Sequence, residues 1–360
     1  MRYSTSIGID THAKSNQLYA LVKETGEIRE VKLSSDSEEV IAWIKRQDFS
    51  GPLRCCYEAG PTGFGLARAL IKADIPCVVA ATSKLPLRTD KQKNDRIDAA
   101  WLCRMLDSGV VRSVKIPSIE EESLCHLSRL RGEVALDLRR AKQRVAAFLL
   151  LTQTSYTLTK KRWTKAFNKW AETYEFACEA DTFVFRMKMT GALRLEEKLA
   201  QVEGEIMRII AGHPELQTMM ARFTALHGVG KVTAFSLICE VYDFTRFRNG
   251  SAFASYIGLV PSEGSTGDSI VRGKIARKGN AHLRRIITEA ASCYSKPLKL
   301  LRSEDASVPE AVRLKAEKCR RRLHRRRAAL KKRGINNNKA KIAVARELCE
   351  WIYNIAVMAA

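Results

Sequence analysis

Acidic residues are the scarce class in this 360-residue chain. Asp and Glu number 39 against 62 Lys and Arg, a formal charge of +23. Such an excess points away from basic partners and toward a polyanion, nucleic acid above all. Long apolar runs are missing too: no stretch reaches the roughly 18 consecutive apolar residues of a membrane span. The opening Met1-Arg2-Tyr3-Ser4 has no apolar signal-peptide core. Neither an integral membrane nor a secreted protein is expected, and a cytoplasmic one is. Metal-binding cysteine pairs are absent as well. Of ten cysteines, Cys55 and Cys56 are adjacent, the others are scattered, and no CxxC occurs. They read as reduced thiols, mostly small core residues.

What the chain does have is apolar content, 46% of its residues, enough for a core. The first hundred residues read as an α/β unit. Strands are expected at Ser6–Ile9, Gln17–Val22, Ile28–Leu33, Leu53–Tyr57 and Cys77–Ala81. Helices are expected from Ser37 to Trp43 with Ser37 as N-cap, from the Gly60–Gly63 turn to Ala73, and from Asp95 to Leu106. Three strands followed by α-β-α-β-α is the element order of an RNase H-like fold.

The middle is helical. Leu124, Leu127, Val134, Leu138, Ala141, Val145 and Phe148 follow a three-four spacing, with Arg131 in the slot that breaks it. Leu195, Leu199, Val202, Ile206 and Ile209 repeat it. This is a coiled-coil pattern, open to pairing within the chain or across a dimer. Between the two lies a basic, aromatic stretch. Lys160, Lys161 and Arg162 are candidate nucleic-acid contacts, whereas Trp163, Phe167 and Trp170 share a face that reads as buried. Segments 1–112, 113–215 and 216–360 are therefore expected as α/β domain, helical middle and mainly α C-terminal domain.

In the last segment, Leu226-His227-Gly228-Val229-Gly230-Lys231 precedes an apolar helix and resembles a helix-hairpin-helix turn. Its glycines would let backbone N–H groups approach a phosphate, though any tight helix-helix turn uses glycine as well. A Gly- and Ser-rich stretch from Gly258 to Gly279 carries Arg272, Lys274, Arg277 and Lys278. Residues 313–333 hold twelve Lys or Arg, among them Arg320, Arg321, Arg322, Arg325, Arg326 and Arg327, and one acid, Glu317. Such a density favours a nucleic-acid backbone over a merely solvated face.

Four carboxylates stand out against this basic background. Asp10 ends the first strand and Glu58 the fourth, while Asp95 and Asp98 share one helix face. Each alone reads as a cap or a helix N-terminal acid. In an RNase H-like sheet the first and fourth strands are neighbours, so all four converge. Gathered carboxylates call for hard cations, Mg²⁺ or Mn²⁺, and two such ions about 4 Å apart support phosphodiester cleavage.

Gly8-Ile9-Asp10, Tyr57-Glu58-Ala59-Gly60 and Asn94-Asp95-Arg96-Ile97-Asp98-Ala99 resemble the three blocks of the DEDD transposases of IS110 insertion sequences. Gly228-Val229-Gly230, the run from Phe253 to Pro261, Ser265-Thr266-Gly267 and Lys278-Gly279-Asn280-Ala281-His282-Leu283-Arg284-Arg285 resemble that family's C-terminal transposase domain. Ala343-Val344-Ala345-Arg346-Glu347-Leu348 resembles its terminal helix. The resemblance spans nearly the whole chain, in order.

It implies a RuvC-like domain holding Mg²⁺ through Asp10, Glu58, Asp95 and Asp98, a coiled coil, and a C-terminal domain with a nucleophilic serine. It also implies a covalent phosphoserine link to DNA and a structured bridge RNA that pairs with element and target DNA. The assembly it implies is a dimer to tetramer in a bacterial or archaeal cytosol, associated with the nucleoid. One departure from the family pattern matters. Where the pattern ends in Ser-Gly, this chain reads Gly264-Ser265-Thr266-Gly267. Ungapped alignment puts Thr266 in the nucleophile slot, and a one-residue shift puts Ser265 there. Ser265 is favoured as the less hindered hydroxyl. Two rival readings remain: a RuvC-like Holliday-junction or structure-specific nuclease using water, and a non-catalytic RNA- or DNA-binding scaffold.

Overall fold

The computed structural model describes residues 3–86, 94–156, 162–263, 272–276, 278–296 and 308–358. The chain divides into two compact units, Met1–Ser118 and Ile119–Ala360. The first holds β1 (Thr5–Thr11), β2 (Ser15–Val22), β3 (Ile28–Ser34), α1 (Ser37–Arg46), β4 (Leu53–Glu58), α2 (Gly65–Lys72), β5 (Cys77–Ala80) and α3 (Asp95–Asp107). Its sheet runs β3-β2-β1-β4-β5. The β1–β2 and β2–β3 pairs are antiparallel, and the β1–β4 and β4–β5 pairs are parallel. The result is a mixed α/β unit whose strand order is consistent with the RNase H-like arrangement.

Alternation along β1 sorts its two faces. Ile7 and Ile9 pack with Tyr57, Trp43, Ile44 and Leu70, beneath α1 and α2. The opposite face carries Ser6, Gly8 and Asp10. There α3 lies so close that a Cβ on Gly8 would overlap the Ala99 carbonyl oxygen and the Cys103 amide nitrogen. The Cys103 thiol donates to Ser6 O at 3.0 Å, and the Ser6 hydroxyl donates to Asp107 at 3.2 Å. The helix thus runs antiparallel to β1 and brings its N-terminus to the end of that strand.

Two details differ from the sequence reading. The N-cap of α1 is Asp36, whose carboxylate accepts from the Glu38 amide at 2.9 Å, and Ser37 is already helical. Asp36 keeps extended backbone, as a capping residue must. The unit also continues past residue 112. Ala81 N donates to Arg112 O and Val114 N to Val79 O, so residues 112–114 line the free edge of β5.

The second unit opens with α4 (Ile119–Leu151), α5 (Lys165–Thr173) and α6 (Glu179–Ala211). Helices α4 and α6 pack antiparallel within the chain, tied by Arg131–Glu203 at 2.5 Å and Lys142–Glu196 at 3.0 Å. Val134, Leu138, Ala141 and Val145 are buried on one helix, Val202 and Ile206 on the other. Phe167 is fully buried against Val145, Leu149, Phe185 and Met189, with Trp163 and Trp170 half-buried beside it. The aromatic face of α5 therefore builds core.

Next come α7 (Pro214–Thr224), α8 (Lys231–Val241), α9 (Gly250–Ile257), a two-stranded sheet of β6 (Pro261–Glu263) and β7 (Arg272–Ile275), α10 (Ala281–Ala291), α11 (Glu310–Lys332) and α12 (Asn337–Ala356). Helices α4 and α6 share this unit with them. Buried Glu240 of α8 takes both guanidinium contacts from Arg129 of α4, at 2.9 and 3.0 Å. Gly228, at φ +83°, sits against the Ala290 carbonyl, so its missing side chain serves helix packing. All ten cysteines are free, and only Cys178 is exposed. Among the described residues no helix is long and apolar enough to cross a membrane.

Candidate active site

Asp10 projects from β1 on the side that α3 covers. The first turn of α3 meets it there because Asn94 caps the helix, accepting from the Arg96 amide at 3.0 Å. The Asp10, His12 and Asp95 ligand atoms all lie within 4.8 Å of one another. His12 Nε2 is 3.1 Å from Asp10 and 3.4 Å from Asp95. Lys32 on β3 reaches Asp95 at 3.1 Å, and neighbouring Arg96 pairs with Glu30 at 2.6 Å. Two salt links from β3 thus hold the start of α3 over the sheet.

Glu58 ends the adjacent strand. Ile9 pairs with Tyr57 across β1 and β4, so Asp10 and Glu58 are the next residues on strands ~4.8 Å apart. Tyr57 faces α1 and α2, so alternation turns Glu58 to the α3 side with Asp10. Asp98 lies one turn along α3, on the stripe it shares with Leu102 and Leu106. Those two leucines pack on Cys56 and Ala80 of β4 and β5, whereas Ala99 and Cys103 pack on Tyr19 of β2. The helix therefore offers Asp95 toward β2 and β3, and Asp98 toward the strand that ends in Glu58. Both Glu58 and Asp98 are half-buried.

The electrostatics are uneven. Burial pushes the Asp10 carboxyl above its ordinary value, and Asp95 adds to that, while His12 and Lys32 pull it down. Asp95 goes the other way, held low mainly by its hydrogen bond from Lys32. An oxygen-rich set with one imidazole, its half-buried Asp10 favouring a further positive charge, fits a divalent cation.

His12 escaped the sequence reading. The signal was present: in Asp10-Thr11-His12 a residue two along from the acid returns to the same face.

The basic candidates scatter. Lys160, Lys161, Ser265, Thr266 and Arg277 lie outside the described residues. Arg162, Lys274 and Lys278 are exposed, and Arg272 is placed by its backbone in β7, opposite Glu263. Arg284 donates to Ile257 O at 2.9 Å, and Arg285 pairs with Glu289 at 3.3 Å. On α11, Glu317 takes Arg320 and Arg321, and Glu347 of α12 takes Arg322 and Arg326. Arg325 is exposed. Arg327 is 7% exposed and donates to Asn337 O at 3.0 Å and to its side-chain oxygen. It sits in the packing of α11 on α12 and not at the surface, where its place in the basic run would put it.

Residues 7–154 match the DEDD transposase family of IS110, and residues 220–302 match the family described as Transposase IS116/IS110/IS902. A putative transposase, y4qE, of Sinorhizobium fredii is 32% identical over 361 residues, covering 97% of this chain and 88% of that protein. The transposase for insertion sequence element IS1533 of Leptospira borgpetersenii is 30% identical over 339 residues, covering 91% and 96%. The transposase for insertion sequence element IS1111A of Coxiella burnetii is 24% identical and covers 64% of this chain and 63% of itself. With its carboxylates gathered at the end of a mixed sheet and this likeness along almost its whole length, the chain belongs to the IS110 family of insertion-sequence transposases.

Proposed function

We propose that this DNA transposase is an RNA-guided recombinase, in which Asp10, Glu58, Asp95 and Asp98 hold divalent metal, Mg²⁺ in the cell, and Ser265 attacks the scissile phosphate. The observation that carries the reading is the meeting of Asp10 and Asp95, with Glu58 at the next register position and Asp98 on the adjoining stripe of α3. Bound there, divalent metal would orient the phosphate and offset charge at the attacking and leaving oxygens. The serine Oγ forms a bond to phosphorus as one P–O bond of the DNA breaks and a DNA hydroxyl leaves. One ester replaces another, so the bond is available for rejoining.

The hydroxyl belongs to the sequence that joins β6 and β7. Of the hydroxyls there, Ser262 is committed, donating to Lys274 O at 2.9 Å. Ser265 is preferred as the less hindered hydroxyl, with Thr266 as the register alternative. Lys274, Lys278 and Arg162 are exposed cations suited to phosphate, and Arg272 and Arg277 are further candidates nearby in the sequence. The functional division follows the sequence: acids in 1–112, a helical spacer in 113–215, and serine and nucleic-acid contacts in 216–360. A structured bridge RNA supplies target and donor choice. A dimer or tetramer places the acids of one subunit beside the serine of another. The setting is the cytosol, on nucleoid DNA.

The test is covalent trapping on a nicked suicide DNA substrate, with peptide mapping of the DNA-linked residue. Wild type should give an adduct that survives denaturation and maps to Ser265. Ser265→Ala should bind RNA and DNA and give none, and Thr266→Ala should react more weakly than wild type. An adduct on Thr266 moves the register by one. Cutting without any adduct would replace the serine with water as nucleophile.

A further inference from the structure

We propose that His12 is a third protein ligand of the metal held by Asp10 and Asp95, and that its imidazole tilts the site toward Mn²⁺ over Mg²⁺. The inference rests on the reading of the acids as metal ligands. It adds a residue that the four-acid pattern does not contain.

The backbone supports it first. His12 follows the last residue of β1, and its amide donates to Ser15 O at 2.8 Å, closing the turn into β2. Its position two residues after Asp10 returns the ring to the acid's own side of the strand. Nε2 then stands 3.1 Å from one Asp10 oxygen and 3.4 Å from one Asp95 oxygen. Donor atoms bonded at about 2.1 Å to one cation lie roughly 3.0 Å apart in cis-octahedral geometry and roughly 3.4 Å apart in tetrahedral geometry. The imidazole thus stands at coordination-sphere spacing from each carboxylate, and all three ligand atoms lie within 4.8 Å of one another. The ring's side chain is 52% exposed, so it is free to move the short distance needed to receive an ion. Lys32, 3.1 Å from the other Asp95 oxygen and 59% exposed, supplies counter-charge without blocking it.

Metal preference follows from the donor set. Mg²⁺ takes oxygen ligands and keeps much of its water. Mn²⁺ also favours oxygen and stands lowest among the first-row divalent ions, but as a transition ion it accepts an imidazole nitrogen more readily than Mg²⁺ does. One nitrogen beside two carboxylates therefore leaves Mg²⁺ binding nearly unchanged and strengthens Mn²⁺ binding.

The experiment measures metal binding on the full-length protein. Mn²⁺ affinity is read by electron paramagnetic resonance and Mg²⁺ affinity by displacement of Mn²⁺. The set is wild type, His12→Ala, His12→Gln and Asp10→Asn, each checked for an unchanged circular dichroism spectrum. In wild type, pulsed spectra should show nitrogen coupling from a directly bound imidazole, lost in both His12 variants and in Asp10→Asn. His12→Ala should weaken Mn²⁺ by about tenfold or more, the scale on which even outer partners of metal ligands act. Its effect on Mg²⁺ should stay within about threefold. No nitrogen coupling in wild type, or equal losses for the two ions, would overturn the role of His12. If Asp10→Asn loses Mn²⁺ while both His12 variants keep affinity and ratio, His12 alone is wrong. If Asp10→Asn binds Mn²⁺ like wild type, the underlying metal reading falls with it.

Discussion

The carboxylate end of the first sheet and the basic face of α11 handle charge in opposite ways. At the sheet end, like charges are driven together by the fold: Gly8 lets α3 approach, and the helix delivers Asp95 to Asp10. On α11, five of the six arginines in the central run have side-chain partners within the protein. Arg320 and Arg321 hold Glu317 down to about 2, Arg322 and Arg326 grip Glu347, and Arg327 is buried on Asn337. Local charge density in a sequence therefore says little about which charges a ligand meets. Carboxylates brought to one point from separate elements are a stronger sign of function than a longer run of one charge along a single helix.

This contrast breaks most readily at Gly8. Gly8→Ala places a methyl group where the Ala99 carbonyl stands, so α3 must lift from the sheet. Overpacking of this kind costs about 1–3 kcal/mol. Because Asp95 and Asp98 ride on that helix, the variant should lose metal binding and strand cleavage even where it remains folded. Urea unfolding and Mn²⁺ titration check the two parts, and a variant with full Mn²⁺ affinity would show that the Gly8 contact does not position the acids.

On α11 the expected effects are smaller and separate by residue. Arg327→Ala leaves the Asn337 groups unpaired and should cost roughly 1–3 kcal/mol of stability. The slope of log K for DNA against log salt should hardly change. Arg325→Ala, at an exposed position, should leave stability alone and reduce the slope by about 0.9, one phosphate contact fewer. The reverse pattern would mean that α11 meets nucleic acid through its α12 side.

The smallest effect is a pH dependence. Asp10 has its folded pKa raised above the ordinary carboxylate value, so its ionisation opposes folding. The favourable contribution is complete below the unfolded value and is lost as pH rises through the folded one. In metal-free buffer, Asp10→Asn should therefore melt above wild type at pH 7, with the gap closing as the pH falls through the raised folded value and gone below the ordinary carboxylate value. Asp95→Asn should melt no higher than wild type, since Lys32 already favours the charged form.

Much of the first unit was legible in the sequence because its signals are local. Apolar runs ending in Asp10 and Glu58, and Asn94 ahead of Asp95, mark strand ends and a helix start directly. The Asp36 cap was missed because Ser37 and Asp36 are both good caps and only backbone conformation separates them. The signal for His12, two residues after Asp10, is weak by itself and gains meaning only when the helix brings Asp95, 83 positions further on, beside it. Along the basic helix one residue differs for the converse reason. Arg327 is buried through Asn337, a partner beyond the next turn, which charge counting along α11 does not see.

On the proposed mechanism the four acids act as one catalytic group, and nucleic acid is bound elsewhere on the protein. The most direct test of this is a single assay set. Asp10→Ala, Glu58→Ala, Asp95→Ala and Asp98→Ala are compared for nucleic-acid binding and for cleavage of the same suicide substrate in Mg²⁺. All four should bind like wild type, and cleavage should fall on the order of 10³-fold or more, matching the several kcal/mol that such metal sites supply. Robust cleavage by two or more of them would contradict it.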